Sequence, residues 1–237
     1  EGWTRFVLER YGFAPRSLDN ASIQKGGLRA SLDAIVLPDL SKEVIATGKP
    51  RREDGAMAYF PELPPEYRGG LDAKGAAALK AFVEGGGTLI AMAASCDYVI
   101  EQFNIPVSNT LSRAKPEEFA CPGSLLHARV APDHPVTWGL PADATLFVDK
   151  AIAFQTLPPA GELDRAVLAR YPDDPRDVLA SGWISGEEQL VRHAAAVAVT
   201  MGKGKIVLLG FRPQQRAQTS GTFPFLFNAI HWSTLAD

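Results

Sequence analysis

Apolar positions along the chain follow two rhythms, one helical and one strand-like. In residues 3–11, Trp3, Phe6, Val7 and Tyr11 fall at helical spacing and Gly12 follows as a stop, which predicts a short amphipathic helix. Asp33-Ala34-Ile35-Val36-Leu37-Pro38-Asp39 sets four apolar residues between polar ends, which predicts a parallel strand buried on both faces and closed by Pro38. The clearest unit follows. Asp72 is suited to cap a helix whose inner face is Ala76, Leu79, Phe82 and Val83, and Gly85-Gly86-Gly87 ends that helix before the strand Thr88-Leu89-Ile90-Ala91-Met92. After the small-residue turn Ala93-Ala94-Ser95-Cys96, Tyr98, Val99, Ile100 and Phe103 predict a second helix over 97–103. Helix, strand, tight turn and helix is the order of an α/β sheet with parallel strands.

From Cys121 to Trp183 the pattern shortens. Strands are predicted at 125–130, 145–148, 152–154 and 166–171, separated by turns such as Pro172-Asp173-Asp174-Pro175, so this stretch is a β-rich insertion or extension of the sheet. Residues 194–201 and 205–209 flank Gly202-Lys203-Gly204 as an antiparallel hairpin, and a last helix is predicted over 224–235. Residues 48–70 carry Pro50, Pro61, Pro64 and Pro65 with little periodicity and read as a long loop or lid, where Tyr59, Phe60 and Tyr67 are available to grip a peptide.

Composition bounds the function. With 46% hydrophobic and 22% charged residues, the chain has the makeup of one globular domain able to bury a full core without metal or disulfide support. Its 24 basic and 27 acidic side chains, a net charge of −3, remove the electrostatic case for nucleic acid. No apolar run reaches the roughly 18 residues of a membrane-spanning helix. The chain starts at Glu1 without an initiator Met or a leader and is read as a fragment or processed product of a longer protein.

Chemistry concentrates at the turn after the 88–92 strand, where a side chain sits at the carboxyl end of a parallel strand and at a helix N-terminus. Cys96 is the candidate nucleophile there, because a helix N-terminus lowers a thiol pKa and offers amides to an oxyanion. The competing reading makes Cys96 a small buried residue of the first turn and Ser95 the helix cap. No histidine has a sequence-defined partnership with it: His127 and His193 fall in strand patterns, His134 precedes Pro135, and His231 is in the last helix. No spacing typical of zinc ligands occurs, and the glycine runs read as turns rather than phosphate cradles. Glu117 with Glu118, and Asp173 with Asp174, are adjacent rather than facing, which suits solvated turns. Whether Cys96 pairs with Cys121 is left open by a count of two.

Several ordered segments resemble a known family. Trp3-Thr4-Arg5-Phe6-Val7-Leu8-Glu9-Arg10-Tyr11-Gly12-Phe13, Leu28-Arg29-Ala30 before the 33–39 strand, Gly85-Gly86-Gly87-Thr88-Leu89-Ile90-Ala91, and the stretch from Gly202-Lys203-Gly204 through Gly210-Phe211 to Leu226-Phe227-Asn228-Ala229-Ile230 resemble a class I glutamine-amidotransferase-like domain. In particular they resemble the form fused C-terminal to bacterial zinc carboxypeptidases of the carboxypeptidase A type. The resemblance implies a flavodoxin-like α/β fold, with a mostly parallel sheet, helices on both faces and the β-rich extension at about 121–183. Active members place a nucleophilic Cys at the elbow after a strand and a His-Pro-Glu arrangement after a late strand. Here Arg212 and Gln214 stand at the His and Glu positions around Pro213, and Ala93-Ala94-Ser95 occupy the elbow with Cys96 late. The resemblance therefore implies a non-catalytic accessory domain of a secreted or periplasmic peptidase, with zinc and the peptidase chemistry in an attached upstream domain and no cofactor in these residues. Such a domain would bind a partner surface or a peptide or small-molecule ligand. Two rivals stand beside it: a hydrolase or amidotransferase using Cys96, and a small-molecule sensor with its pocket near Ser95 and Arg212.

Overall fold

The structure is a computed structural model that describes residues 1–49, 64, 68–158 and 163–235. The reading of 48–70 as a peptide-gripping loop rests on Tyr59, Phe60 and Tyr67, which lie outside the described residues.

Three strands form the parallel heart of the sheet. β1 (Ala34–Leu37) pairs with β2 (Thr88–Met92), and β2 pairs with β10 (Gly204–Leu209), all running the same way. The other strands continue the same sheet in antiparallel fashion: β9 (Ala194–Met201) beside β10, then β7 (Asp164–Arg170), β4 (Pro122–Val130) and β5 (Asp143–Asp149). Three short strands attach at the sides: β8 (Leu179–Ser181) on β4, β6 (Phe154–Thr156) on β9, and β3 (Val107–Asn109) on β6. The expected β-rich extension is thus an outgrowth of the sheet rather than a separate layer.

Alternation along β2 and β10 explains why helices cover both faces. Leu89, Ala91, Ile206 and Leu208 point into one apolar cluster and Ile90, Met92, Val207 and Leu209 into another. The first cluster is closed by α2 (Asn20–Lys25), α3 (Lys42–Thr47), α4 (Asp72–Glu84) and α5 (Ser95–Phe103), the second by α1 (Gly2–Arg10) and α6 (Phe223–Trp232). In β4 and β5 only one face needs cover. Leu126, Ala128 and Val130 with Ala144, Leu146 and Val148 point into the second cluster, while residues between them such as His127, Arg129 and Thr145 face water.

Local chemistry fixes the ends of these elements. Asp72 accepts from the Lys74 and Gly75 amides (2.7 and 3.3 Å) and starts α4 as expected, while Asp19 and Ser41 do the same for α2 and α3. Lys205, buried in β10, donates from its ammonium to the carbonyls of Trp232 and Leu235 at the end of α6 (3.2 and 3.0 Å) and lies over the Trp232 ring.

Two expectations are corrected here. The inward face of α1 is Thr4, Val7 and Leu8, and Trp3, Phe6 and Tyr11 are about half exposed, because Leu8 is the residue that reaches the core shared with α6. β1 is not buried on both faces: it is an edge strand in which Ala34 and Val36 are only partly covered.

Candidate functional site

The carboxyl ends of β1, β2 and β10 lie side by side, and there the chain turns sharply from β2 into α5. Ala93 forms the bend with a φ of +49°, a left-handed conformation that costs a residue with a side chain about 1–2 kcal/mol. Its amide donates to the Leu209 carbonyl of β10 (2.8 Å), and the Ala94 amide donates to the Asp39 carboxylate beyond β1 (3.1 Å). The elbow geometry is therefore present, and the residue at its apex carries only a methyl group.

Cys96 does not supply the missing nucleophile. Its side chain is fully buried, and the thiol points back toward the Ala91 and Leu209 carbonyls (both 3.4 Å), between β2 and β10. Burial, reinforced by the neighbouring Asp97 charge, pushes the thiol pKa well above its ordinary value, so the reactive thiolate is disfavoured. Ser95 is equally buried and does not cap α5. Its hydroxyl accepts from the Met92 amide (2.9 Å) and has the Met92 and Leu37 carbonyls in reach of its proton (2.9 and 3.2 Å), which ties the elbow to β1. Cys121 is buried in the other apolar cluster, and both thiols are free.

Arg212 and Gln214 do stand at this edge, just after β10, where the resemblance places the base and its orienter. The Arg212 guanidinium bridges two carboxylates, Asp149 at the end of β5 (2.9 Å) and Asp39 beyond β1 (3.5 Å), and is 28% exposed. A guanidinium stays protonated across the physiological range and cannot act as a base. Gln214 is buried and donates to the Thr4 hydroxyl of α1 (2.7 Å), while its amide oxygen has no hydrogen-bond partner. These groups line a cleft of about 440 Å³ with Arg216 and the exposed Trp3 and Phe6, whose rings meet edge to face. Arg216 and Ala217 beside it are consecutive left-handed residues, with φ of +48° and +58°.

A second hollow of about 400 Å³ touches Ala94 and lies among α3, α5 and β3. Asp97 lines it, its carboxylate accepting from the Asn109 side-chain amide (3.0 and 3.2 Å). Burial raises the Asp97 pKa, and the hydrogen bonding from Asn109 partly offsets that rise. Lys42 and Glu101, paired at 2.6 Å, also line this hollow.

None of the four histidines lines either hollow. His134 accepts from the Val136 amide and packs on Trp232, His231 packs on Phe13, His193 contacts the Val191 carbonyl, and His127 faces water on β4. No three His, Cys, Asp or Glu side chains gather into a metal-holding group among the described residues. Sequence reasoning did not single out Ala93, Asp39 or Asp149, which together with Arg212 define the site. Ala93 carried one signal, its place directly after a buried strand. Asp149 arrives through the far end of the sheet, and no local pattern marks it.

Fold and site together define a flavodoxin-like α/β protein of the glutamine-amidotransferase-like kind, with the elbow retained and the nucleophile and base positions filled by Ala93 and Arg212. Solved structures bear out the fold. A protein from Bacteroides uniformis described as ThuA-like aligns over 100% of this chain and 83% of its own, with a TM-score of 0.50 and 15% identity. A GMP synthase subunit from Thermoplasma acidophilum aligns over 98% of this chain and 86% of its own, with a TM-score of 0.55 and 12% identity. A cytoplasmic protein from Salmonella typhimurium aligns over 97% and 85%, with a TM-score of 0.53 and 14% identity. No protein-family model matches the chain, and no curated protein does.

Proposed function

We propose that this chain is a non-catalytic, amidotransferase-like accessory domain that binds a partner surface or ligand for an attached zinc carboxypeptidase in the secreted or periplasmic space. The observation that carries the non-catalytic part is the elbow itself: a methyl group at the apex, a buried thiol one turn later, and a guanidinium held between two carboxylates in place of a base. A nucleophile and its base act as a unit, so losing both removes orders of magnitude in rate. The exposed Trp3 and Phe6 at the cleft support a binding role, since aromatic residues are the side chains that interfaces favour. The peptidase half of the reading rests on the sequence resemblance, and zinc would belong to that attached domain.

The test is an assay of the natural gene product beside this chain, for carboxypeptidase activity with and without a zinc chelator and for glutamine hydrolysis. An active, chelator-sensitive long product and an inert chain are expected. Glutamine or ester hydrolysis by this chain, abolished in Cys96→Ala, would overturn the reading in favour of the cysteine enzyme. Alkylation gives an independent check: Cys96 should resist iodoacetamide at about pH 8 in the native chain and react fully in urea.

The sensor reading keeps one specific observation in its favour, the partnerless amide oxygen of Gln214 beside the 440 Å³ cleft. A ligand that occupies this cleft should raise the Tm of the wild-type chain and not that of Gln214→Leu.

A further inference from the structure

The free edge of β1 does not face open solvent. It faces a groove of about 630 Å³ whose far wall is the irregular run 13–18. Apolar residues overhang this groove from both sides of the sheet. Leu8, Phe13 and Ile230 belong to the layer under α1 and α6, and Leu18 and Leu32 to the layer under α2 and α4. Both layers therefore extend past β1, and the sheet between them stops one strand short.

The backbone of β1 points the same way. Thr88 donates to the Asp33 carbonyl (2.9 Å), so in this parallel ladder Ile35 and Leu37 turn their peptide groups toward β2, while Ala34 and Val36 turn theirs into the groove. Neither amide of that outward pair has a hydrogen-bond partner among the described residues. Four residues of strand, about 13 Å long, about 4.8 Å wide and about 10 Å deep through the side chains, fill on the order of 600 Å³. The groove has that capacity.

We infer that this groove seats a further β-strand, parallel to β1 and formed by polypeptide that leads into Glu1 from upstream. Direction follows from where α1 begins. Glu1 lines the groove and also lines the cleft at the carboxyl end of β1 beside Asp39. A strand parallel to β1 finishes at that end and passes into α1 through one short turn, whereas an antiparallel strand would finish at the opposite end and need a loop back along the groove. A second copy of this chain is a poorer occupant, because its own β1 is recessed behind the run 13–18 in the same manner. The inference goes beyond the accessory-domain proposal and holds whatever chemistry the upstream polypeptide carries.

Hydrogen exchange on the natural gene product and on this 237-residue chain tests it. The Ala34 and Val36 amides should exchange at least tenfold more slowly in the longer product. A synthetic peptide of about ten residues, matching the sequence encoded just before Glu1, should restore that protection to this chain when added in trans. The same peptide with alternate backbone amides N-methylated should fail to do so, a control that requires no variant of the folded chain. Equal exchange in the two products, or a reading frame that begins at Glu1, would overturn the inference. Protection that grows with the concentration of this chain alone would also overturn it, in favour of pairing between copies. A loss of peptidase activity in the longer product with the amides still protected would sink the accessory reading and leave the strand in place.

Discussion

At the scale of single residues, the site is defined by what its side chains can no longer do. Ala93 keeps the strained conformation of an elbow without a functional group, and Arg212 holds a permanent charge between Asp39 and Asp149. Arg212 and Gln214 were legible in the sequence because the run around Pro213 is local, and their places beside the elbow follow once β10 is laid next to β2. The burial of Cys96 was not legible, since a thiol in the first turn of a helix points to solvent or to the sheet according to which residue makes the bend. Asp97 supplies a prediction at this scale. Burial lifts its folded-state pKa above the value of about 3.9 expected in the unfolded chain, so the protonated form is the one the fold favours. Its contribution is fully present below about pH 3.9 and is lost as pH rises through the folded pKa. Asp97→Asn, which can still accept from Asn109, should therefore gain stability relative to wild type between about pH 4 and about pH 7, by on the order of 1 kcal/mol. Urea midpoints at the two pH values measure this, and an unchanged difference would refute it.

At the scale of elements, the hairpin of β9 and β10 and the unit of α4 and β2 were readable because each combines strong periodicity with glycine punctuation. The short α2 and α3 and the three-residue β3 and β8 were not, since elements of three to six residues carry less than two turns or pleats of pattern. The junction where the two readable units meet is unforgiving. A Cβ added to Gly204 would stand 1.9 Å from the Val83 carbonyl oxygen and 2.5 Å from that of Gly87, both backbone atoms that cannot swing aside. Gly204→Ala should force β10 away from the end of α4 and cost about 3 kcal/mol, the upper end of ordinary overpacking penalties. Gly221→Ala, with nothing within 4 Å of the added methyl, serves as the control and should shift the denaturation midpoint little.

At the scale of the whole molecule, the α/β class and the extension at 121–183 were both legible, but their union in one sheet was not. Strand order is set by pairings across long stretches of chain, such as β7 with β9, that leave no mark on either segment alone. This continuity makes the extension and the parallel heart depend on each other, because Ala195, Ala198, Val207 and Leu209 share a core with Leu126, Leu146 and Leu168. Unfolding in urea should therefore show coincident transitions by far-ultraviolet circular dichroism and by tryptophan fluorescence, with Trp232 in the shared core as the main reporter. An earlier transition confined to the extension would show that it is a separate folding unit.

The two borders of this sheet are guarded very differently. β5 ends in Asp143 and Asp149, negative charges of the kind that discourage strangers from adding a strand. β1 presents Ala34-Ile35-Val36-Leu37, with no charge of its own along the strand. In concentrated solution the molecule thus has one border that repels amyloid-like stacking and one that relies on being occupied. A lysine introduced on the run 13–18 to shield that border would be the first change to try if purified material precipitates.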